Sequence, residues 1–352
     1  MGKKVAVGLS GGVDSAVTAH LLQQAGHEVI GVTSINYAES RCCDARSVLE
    51  AKRVAEFLGF PYHTIDVILQ FKQKVVERFK DGYKAGLTPN PCTICNAEVR
   101  FEELFDEAEW RYGVEAIATG HYARVRRDPE TGRYQLLRGK DPTKDQSYML
   151  YRLDQRQLSR VIFPLGEMTK AETRAIAEAL GLSVAKKPDS QDVCFVMGDT
   201  VGFLQREIGD QLSEGAIVDL EGHVLGTHQG IAYYTVGQRK GLGLTSPQPL
   251  YVVRLEPATN TVVVGPREAV FIDTLTAGEV NWVSWERPAE PFRAEVQIRY
   301  RTAPAPALVT PTEEGIRIDF DEGQFAASPG QVAAVYVGEV LVCGGVIAPT
   351  AP

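Results

Sequence analysis

Residues 4–20, KVAVGLSGGVDSAVTAH, decide the fold of this chain. The apolar run at 5–9 is typical of a buried parallel strand, and SGGVDS at 10–15 predicts a tight turn that opens a helix over residues 16–25. Two adjacent glycines let the backbone approach an anion, while free amides and the positive end of the helix face it. Ser10 and Ser15 add hydroxyl donors. We therefore predict a phosphate-binding loop in which Asp14 holds Mg²⁺ or orients the turn.

The alternative is an ordinary turn between a strand and a helix, because glycine pairs after a first strand are common. The chain contains no G-x-x-x-x-G-K-[ST], so a Walker site that cleaves the γ-phosphate is not indicated, and G-x-G-x-x-G is absent from this turn. SGGVDS instead resembles the PP-loop of the ATP pyrophosphatases. These enzymes cut ATP between the α and β phosphates and attach AMP to an oxygen of the substrate.

Length and composition indicate a globular protein of two or three domains, with 352 residues, 44% hydrophobic residues and a net charge of −8. No run of about 18 apolar residues and no signal-peptide pattern occurs, so we expect a cytoplasmic protein without a membrane partner. Six cysteines, at 42, 43, 92, 95, 194 and 343, are too few and too scattered for a disulfide scaffold.

The order of elements predicts an α/β fold with a doubly wound, Rossmann-like parallel sheet at the N-terminus. Strands are expected at 27–33, 62–67 and 114–118, with a helix at 45–58 that Asp44 caps. Ligands of such sheets bind at the carboxyl ends of the strands, where SGGVDS and Ser34 fall. From about residue 210, short β-rich runs replace the helical pattern. We predict three domains: an ATP-binding and catalytic domain at 1–209, a small central β-rich domain at 210–273 and a C-terminal domain at 274–352.

Two segments carry cysteines that are candidates for a functional site. In LTPNPCTICN at 87–96, two prolines fix an extended approach to a helix at 97–112, and Cys95 arrives near its N-terminus, where a thiolate is favoured. Cys194 follows a polar segment whose lysines and aspartates favour an exposed, functional thiol over a core position. The P-C-x-x-C pattern also occurs in zinc deaminases, but their H-x-E partner is missing. A structural zinc site would need a second ligand pair at similar spacing, which the chain lacks.

Residues 124–144 form a predicted basic hairpin with seven Arg or Lys against three Asp or Glu. A solvated charged face is one interpretation, and contact with a nucleic-acid backbone is the other. The glycine-rich loop GQRKGLG at 237–243 has the same two interpretations: a hairpin turn or a second backbone contact.

Taken together, these motifs resemble the tRNA-specific 2-thiouridylase family, which replaces the C2 oxygen of the wobble uridine with sulfur. The resemblance covers almost the whole chain and implies that the last domain is a β-barrel. Seven motifs carry it in the family's order: SGGVDS, TPNPCTICN, ATGHYARV, KDQSYML, KPDSQDVCFV, YYTVGQRKGLG and SPGQVAAVY.

The resemblance implies a role for each matching position. The ATP site falls on Gly8, Leu9, Ser10, Gly11, Gly12, Val13, Asp14, Ser15, Ser34 and Gly120. The catalytic residues are the nucleophile Cys95 and the persulfide-bearing Cys194, with Asp14 in the ATP loop. Contacts to the target base fall on Asn90, Pro91 and Cys92. Contacts to the rest of the tRNA fall on His121, Lys144, Asp145, Gln146, Arg299, Tyr300 and Gln331.

Two positions depart from the pattern of many family members. A hydrophobic residue is common where this chain has Ser34, which weakens the expected contact to adenine or leaves it to the backbone. Aspartate is common where this chain has Cys92, which places a third thiol beside the pair. Cys92, Cys95 and Cys194 are therefore candidate ligands of a [4Fe-4S] cluster, an alternative to a free persulfide.

The resemblance also implies the reaction and its partners. ATP and Mg²⁺ serve to adenylate the C2 oxygen, and sulfur from a donor or relay protein then displaces AMP. The expected substrates are tRNAs for Lys, Glu and Gln. After persulfide transfer, Cys95 and Cys194 form a disulfide bond that must be reduced. Two alternatives stay open: a PP-loop synthetase or amidotransferase acting on a small molecule, and a non-catalytic protein that binds tRNA or an iron–sulfur cluster.

Overall fold

The computed structural model describes residues 2–37, 45–187 and 193–349 of the chain. Its first seven strands are β1 (Lys4–Gly8), β2 (Glu28–Ile35), β3 (Tyr62–Asp66), β4 (Ala116–Ala118), β5 (Ala123–Arg127), β6 (Tyr134–Arg138) and β7 (Val161–Ile162). Five of them form a parallel sheet in the order β3-β2-β1-β4-β7. The predicted parallel sheet is thereby confirmed, with β1 at its centre because its apolar residues are covered on both faces.

Helices connect these strands and cover the sheet. They span Val13–Gln24, Ala45–Leu58, Ile68–Phe71, Lys72–Glu77, Arg78–Lys84, Pro91–Ile94, Cys95–Glu103, Leu104–Tyr112, Gln155–Leu158, Lys170–Ala179 and Thr200–Ile208. The segments Lys72–Glu77 and Cys95–Glu103 have the wider turns of a π-helix. Short 3₁₀ turns lie at Ser147–Leu150, Pro164–Glu167, Gly209–Gln211, Ile231–Tyr233, Pro257–Thr259 and Arg267–Val270. Among the described residues, none of the helices has both the length and the apolar character needed to cross a bilayer.

Two helices begin earlier than the sequence predicts. The first begins at Val13 rather than at residue 16, because Gly12 is extended and the chain turns helical immediately after it. The cysteine-bearing helix begins at Pro91 rather than at 97, because the Asn90 side chain accepts a hydrogen bond from the Cys92 amide and proline suits the first helical position. Cys92 and Cys95 therefore lie within a helix. The predicted cap Asp44 lies outside the described residues.

A second sheet of four strands follows the N-terminal α/β part of the chain. Its strands are β8 (Gly215–Val218), β9 (Val224–His228), β10 (Tyr251–Glu256) and β11 (Thr261–Gly265), in the order β10-β11-β8-β9. Buried aliphatic side chains such as Ile217, Val252 and Val262 form its small core.

The last six strands close into an antiparallel barrel. They are β12 (Phe271–Asn281), β13 (Phe292–Gln297), β14 (Ala305–Thr312), β15 (Gly315–Phe325), β16 (Val332–Val337) and β17 (Val340–Ile347). Pairing of β12 with β17 completes the ring β12-β15-β14-β13-β16-β17. The expected β-barrel is confirmed. The predicted domain boundary at 273/274 lies inside β12.

The predicted basic hairpin is formed by β5 and β6, and it extends the barrel sheet. Strand β6 pairs antiparallel with β17 through Leu136 and Leu137, and the Leu136 amide donates to the buried Ser284 hydroxyl at 3.0 Å. This pairing joins the hairpin of the N-terminal α/β part to the barrel in one continuous sheet.

Thr88 connects the segment before the cysteine-bearing helix to both β-rich domains. Its amide donates to the Pro329 carbonyl at 2.7 Å, and its carbonyl accepts from the Gln331 side chain at 2.7 Å. Its hydroxyl lies 3.3 Å from that of Thr235 in the central domain. The barrel and the central domain therefore help to hold the segment that leads to Asn90.

Candidate active site

The SGGVDS loop lies between β1 and the first helix at the carboxyl end of the sheet. Gly11 has φ of +66°, and a Cβ added there would lie 2.6 Å from the Ser47 carbonyl oxygen. Only glycine meets both conditions without strain. The next residue, Gly12, is extended and provides no side-chain cap, so the amides of the first helical turn have no partner within the helix. This arrangement favours an anion in front of the loop.

Hydroxyl groups fix the loop from within. The Ser15 hydroxyl accepts from the Ser10 amide at 3.2 Å and donates to the Gly12 carbonyl at 3.1 Å. The Thr33 hydroxyl on the neighbouring β2 donates to the Leu9 carbonyl at 2.7 Å. Ser15 is buried, so this hydroxyl serves the shape of the loop, whereas Ser10 is exposed.

Ser34 and Gly120 follow the same edge of the sheet. Ser34 comes one residue after Thr33 on β2 and is half-buried, and Gly120 comes two residues after the end of β4. A Cβ at Gly120 would lie 2.7 Å from the Cβ of Asp14, so glycine is required for the close approach of these two segments. The structure therefore brings together all the positions predicted to bind ATP: Gly8, Leu9, Ser10, Gly11, Gly12, Val13, Asp14, Ser15, Ser34 and Gly120.

Asp14 is held by a lysine and a tyrosine from later in the chain. The Lys170 ammonium lies 2.8 Å from each carboxylate oxygen of Asp14, and the Tyr122 hydroxyl donates to one of them at 2.9 Å. The Tyr122 hydroxyl also bonds the Thr173 hydroxyl at 3.0 Å. Lys170 is buried, which makes this a shielded ion pair.

A second lysine supports the other side of the loop. The Lys187 ammonium donates to the Gly11 carbonyl at 2.9 Å and also pairs with the Glu50 carboxylate. The hydrogen bond from Lys187 to Glu50 lowers the pKa of the Glu50 carboxyl. Asp14 and Glu50 are thus both engaged by lysines. A magnesium site that exists before ATP binds needs carboxylate oxygens that are not already paired. Asp14 and Glu50 therefore do not form such a site in this conformation.

Cys92 and Cys95 lie three residues apart, on one face of their helix, and both are half-buried. The segment that carries them is fixed through Met149. The Asn90 amide donates to the Met149 sulfur at 3.6 Å, and the Asn96 amide donates to the Met149 carbonyl at 3.1 Å. Pro91 is buried beneath the first turn. These bonds set the direction in which the two thiols project.

Cys194 is positioned by its neighbour Phe195. The Phe195 ring is 2% exposed and makes edge contacts with Phe71, Phe79 and Phe203 at centroid distances of 5.7, 5.2 and 5.5 Å. Cys194 is half-buried and packs against the same core cluster as Cys95. Of the lysines and aspartates that suggested an exposed thiol, the aspartates at 189 and 192 lie outside the described residues.

The described cysteines are 92, 95, 194 and 343, and no disulfide bond links any two of them. Within the described part of the chain, the sulfurs of Cys92, Cys95 and Cys194 do not all lie within 4.8 Å of one another, so they do not form a site for a single metal ion in this conformation. Cys343 is fully buried in the barrel, and burial raises the pKa of its thiol. A buried thiol with a raised pKa is inert, as a structural cysteine should be.

The predicted tRNA residues Lys144, Asp145 and Gln146 form a turn that is itself well bonded. Asp145 accepts from the Gly139 amide at 3.0 Å and from the Ser147 hydroxyl at 2.9 Å. Gln146 accepts from the Tyr122 amide at 3.0 Å. Lys144 is half-buried. This turn holds Tyr122, and through it Asp14, so it connects the ATP loop to the hairpin.

Arg299, Tyr300 and Gln331 lie at the junction of the barrel with the other domains. The Arg299 guanidinium donates to the Val236 carbonyl at 3.1 Å and to the Ser328 hydroxyl at 2.7 Å, and burial lowers its pKa. The Tyr300 ring packs on Tyr148 with centroids 6.1 Å apart. The Arg299 bonds described are to neutral oxygens, so its positive charge is available to an anion at this junction.

Several arginines of the hairpin have structural partners. Arg124 pairs with Glu339 at 2.9 Å, and Arg138 lies over the Tyr336 ring at 3.5 Å from its centroid. Arg126 donates to the Gln135 side chain at 2.7 Å. The charge that the hairpin presents to solvent is therefore smaller than its sequence indicates.

Models of known protein families match almost the whole chain. Residues 3–198 match the family model described as tRNA methyl transferase HUP domain, residues 201–266 match the tRNA methyl transferase PRC-barrel domain, and residues 272–347 match the aminomethyltransferase beta-barrel domain. The tRNA-specific 2-thiouridylase MnmA of Microcystis aeruginosa is 47% identical over 99% of each chain. The one from Clostridioides difficile is 42% identical over 99% of this chain and 98% of its own. This chain belongs to the tRNA-specific 2-thiouridylase family.

A solved structure, U34-tRNA thiolase NcsA from Methanococcus maripaludis with its [4Fe-4S] cluster, is 21% identical and covers 54% of this chain and 60% of its own. Its TM-score of 0.35 is too low to support an inference. In this member of the 2-thiouridylase family, any cluster must be argued from the cysteines present.

For this 2-thiouridylase family member, sequence reasoning missed the residues that hold the ATP loop: Lys170, Lys187 and Tyr122. The S/T-x-x-E pattern at Thr169 and Glu172 is typical of a capping box, and the structure forms both of its reciprocal bonds. Lys170 lies between those two residues, at the first position of the helix Lys170–Ala179. Nothing in the local pattern indicated that its side chain reaches Asp14, which is 156 residues away.

His121, a predicted tRNA contact, is buried between the rings of Phe101 and Phe163 and is joined to the Thr119 hydroxyl by a 2.7 Å hydrogen bond. Burial lowers the pKa of His121 to about 3, with Arg100 contributing. The unfolded chain therefore binds a proton near pH 6.5 that the folded protein excludes, so stability falls as the pH falls below that value.

We expect the free energy of unfolding to decrease by about 2 kcal/mol between pH 7 and pH 5 through His121 alone. Urea titrations at both pH values, on the wild type and on His121→Gln, measure how much of the pH-dependent loss of stability is due to His121. An unchanged pH dependence in the variant would show that His121 titrates normally in the folded protein.

Proposed function

We propose that this protein is a tRNA-uridine 2-sulfurtransferase that makes 2-thiouridine at position 34 of tRNA. It uses ATP to adenylate the C2 oxygen of the wobble uridine and then delivers sulfur to C2. The observation that carries the proposal is the placement of two half-buried thiols, Cys95 and Cys194, on the same core as the sheet that bears the anion-binding loop. Membership of the 2-thiouridylase family makes a combination of ATP use and sulfur transfer the expected one.

The ATP loop performs the activation. The uridine oxygen attacks the α-phosphate, the bond to the β-phosphate breaks, and pyrophosphate leaves while the N3 proton is released. The free amides of the first helical turn and the Ser10 hydroxyl stabilise the charge on the departing pyrophosphate. AMP is a good leaving group where the uridine oxygen alone is a poor one. Mg²⁺ bound to ATP would neutralise part of the charge on its phosphates.

Sulfur transfer uses the two cysteines in sequence. A persulfide on Cys194, formed with sulfur from a donor or relay protein, attacks C2 with its terminal sulfur, and AMP departs with the former C2 oxygen. The Cys95 thiolate then attacks the Cys194 sulfur, the sulfur–sulfur bond breaks, and its electron pair stays with the sulfur on C2. N3 regains its proton. The cysteines are left as a disulfide bond, and a dithiol reductant restores them with two electrons.

The alternative sulfur carrier is a [4Fe-4S] cluster on Cys92, Cys95 and Cys194. Thiolates are the appropriate ligands, and two of the three share one helical face. Cys92, Cys95 and Cys194 would hold the cluster, which would supply iron chemistry able to carry the sulfur. Because Cys92 has no role as a nucleophile in the persulfide route, its substitution separates the two mechanisms.

The tRNA spans the ATP domain and the barrel. The target base enters beside Asn90, Pro91 and Cys92, while the tRNA body contacts Lys144, Asp145, Gln146, Arg299, Tyr300 and Gln331. His121 is buried and does not reach the RNA in this conformation. The base must be splayed out of the anticodon to reach the thiols. The substrates are the tRNAs for Lys, Glu and Gln, and the reaction takes place in the cytoplasm.

Pyrophosphate release should require tRNA, because the uridine oxygen is the group that attacks ATP. We expect release from ATP with an unmodified wobble-uridine tRNA and little with ATP alone or with the same tRNA already thiolated. Binding of the unmodified tRNA should weaken about tenfold or more between 50 and 200 mM salt if several phosphates are contacted. Release of pyrophosphate without RNA would favour a small-molecule synthetase. Affinity that is flat across the salt titration would exclude the proposed backbone contacts.

A further inference from the structure

The loop that accepts the triphosphate carries a negative charge of its own. Asp14 lies in the first turn of the helix whose free amides form the anion site, and its side chain is 30% exposed. An unpaired carboxylate there would repel a triphosphate at close range, where Coulomb energies are large. SGGVDS contains no lysine or arginine to offset it.

Lys170 provides the missing charge from another part of the chain. Its ammonium lies 2.8 Å from both oxygens of Asp14, and its side chain is 10% exposed. Its backbone is fixed as well, because the Lys170 amide donates to the Asp141 carboxylate at 3.0 Å. The lysine is thus held at the first position of a capped helix and reaches directly to the loop.

The remaining contacts also stabilise this pair. The Tyr122 hydroxyl connects Asp14 to Thr173, one turn along the helix of Lys170. Gly120 leaves the space into which Asp14 fits. The carboxylate is therefore bonded on both oxygens by groups of this chain, an arrangement unsuited to a vacant metal ligand.

We propose that Lys170 is a positioning residue that cancels the charge of Asp14 and so permits the triphosphate of ATP to reach the loop amides. The inference rests on the proposed use of ATP and deepens it. It predicts a specific non-additivity: removing the lysine charge should weaken ATP binding, and removing the Asp14 charge as well should restore it. A direct magnesium-ligand role for Asp14 predicts the opposite for the double variant.

The experiment measures the affinity for α,β-methylene ATP by calorimetry, with Mg²⁺ and with EDTA. The variants are Lys170→Met, Lys170→Arg, Asp14→Asn and the double variant Lys170→Met with Asp14→Asn. Lys140→Met is the matched control, because Lys140 pairs with Glu172 on the same helix but is 52% exposed and lies 3.8 Å from it. Thermal unfolding of each variant confirms that it is folded.

We expect Lys170→Met to raise the dissociation constant about thirtyfold in either buffer, since the half-buried carboxylate of Asp14 is left without its cation beside the ligand. Lys170→Arg should retain most of the affinity, the double variant should return to within about threefold of wild type, and Lys140→Met should change nothing. If Lys170→Met binds like wild type, or if the double variant stays as weak as the single one, the inference is overturned while the proposed function stands. If the wild type itself does not bind the nucleotide, both are overturned.

Discussion

Replacing either Cys95 or Cys194 with serine is expected to lower single-turnover thiolation of tRNA by at least about a thousandfold, because a hydroxyl neither carries sulfane sulfur nor breaks a persulfide. Release of pyrophosphate should continue in both variants, since the ATP loop does not contain these residues. Thiolation is measured on an unmodified wobble-uridine tRNA with ATP, and pyrophosphate is measured in the same reaction.

The matched control is Cys343→Ala, which removes a fully buried thiol of the barrel. It should cost about 1–2 kcal/mol of stability and leave thiolation unchanged. If Cys343→Ala lowered thiolation as much as Cys194→Ser while remaining folded, the assignment of Cys343 as structural would be wrong.

Cys92→Ser decides between the two sulfur carriers. Protein prepared aerobically with a persulfide donor and protein prepared anaerobically with iron and sulfide are compared in the same assay. Activity of the aerobic protein that survives Cys92→Ser supports the persulfide route. Activity that is confined to the iron-loaded protein and is lost in Cys92→Ser supports the cluster. Loss of thiolation in both preparations, with ATP still cleaved, would contradict the proposed function.

Gly11→Ala is expected to weaken ATP binding about a hundredfold, the second large effect. The substitution places a Cβ on a residue with φ of +66° and 2.6 Å from the Ser47 carbonyl, which is part of a helix and cannot move by itself. The loop must shift, and displacing a binding group by about 1 Å costs on the order of a hundredfold. Affinity for α,β-methylene ATP and the rate of pyrophosphate release measure the effect.

Gly26→Ala is a control that separates the strain of a left-handed backbone from the clash of a new Cβ with the Ser47 carbonyl at Gly11. Gly26 has φ of +81°, but a Cβ there meets nothing within 4 Å. It should cost about 1 kcal/mol of stability through the left-handed backbone and leave nucleotide binding intact. Equal nucleotide affinities for the two variants would mean that the shape of the loop at Gly11 is not required for binding.

Local patterns in the sequence determined the elements that build the ATP domain. Alternating strands and helices, the glycine turn at SGGVDS and the helix Ala45–Leu58 follow from periodicity and turn chemistry, which act over a few residues. The capping box of Thr169 and Glu172 likewise follows from a few neighbouring residues. Local rules were less reliable at the starts of helices, as Val13 and Pro91 show, because caps move a boundary by several residues.

The tertiary structure alone decided how distant segments meet. Strand β6 pairs with β17 of a barrel that lies about 200 residues later in the chain, and this junction uses arginines for which the sequence left contact with a nucleic-acid backbone as one interpretation. Cys95 and Cys194 reach one core because Phe195 fills an aromatic cluster. Lys170 meets Asp14 across 156 residues. Such pairings depend on how apolar surfaces pack together, and packing is a property of the whole folded chain that no short stretch of sequence specifies.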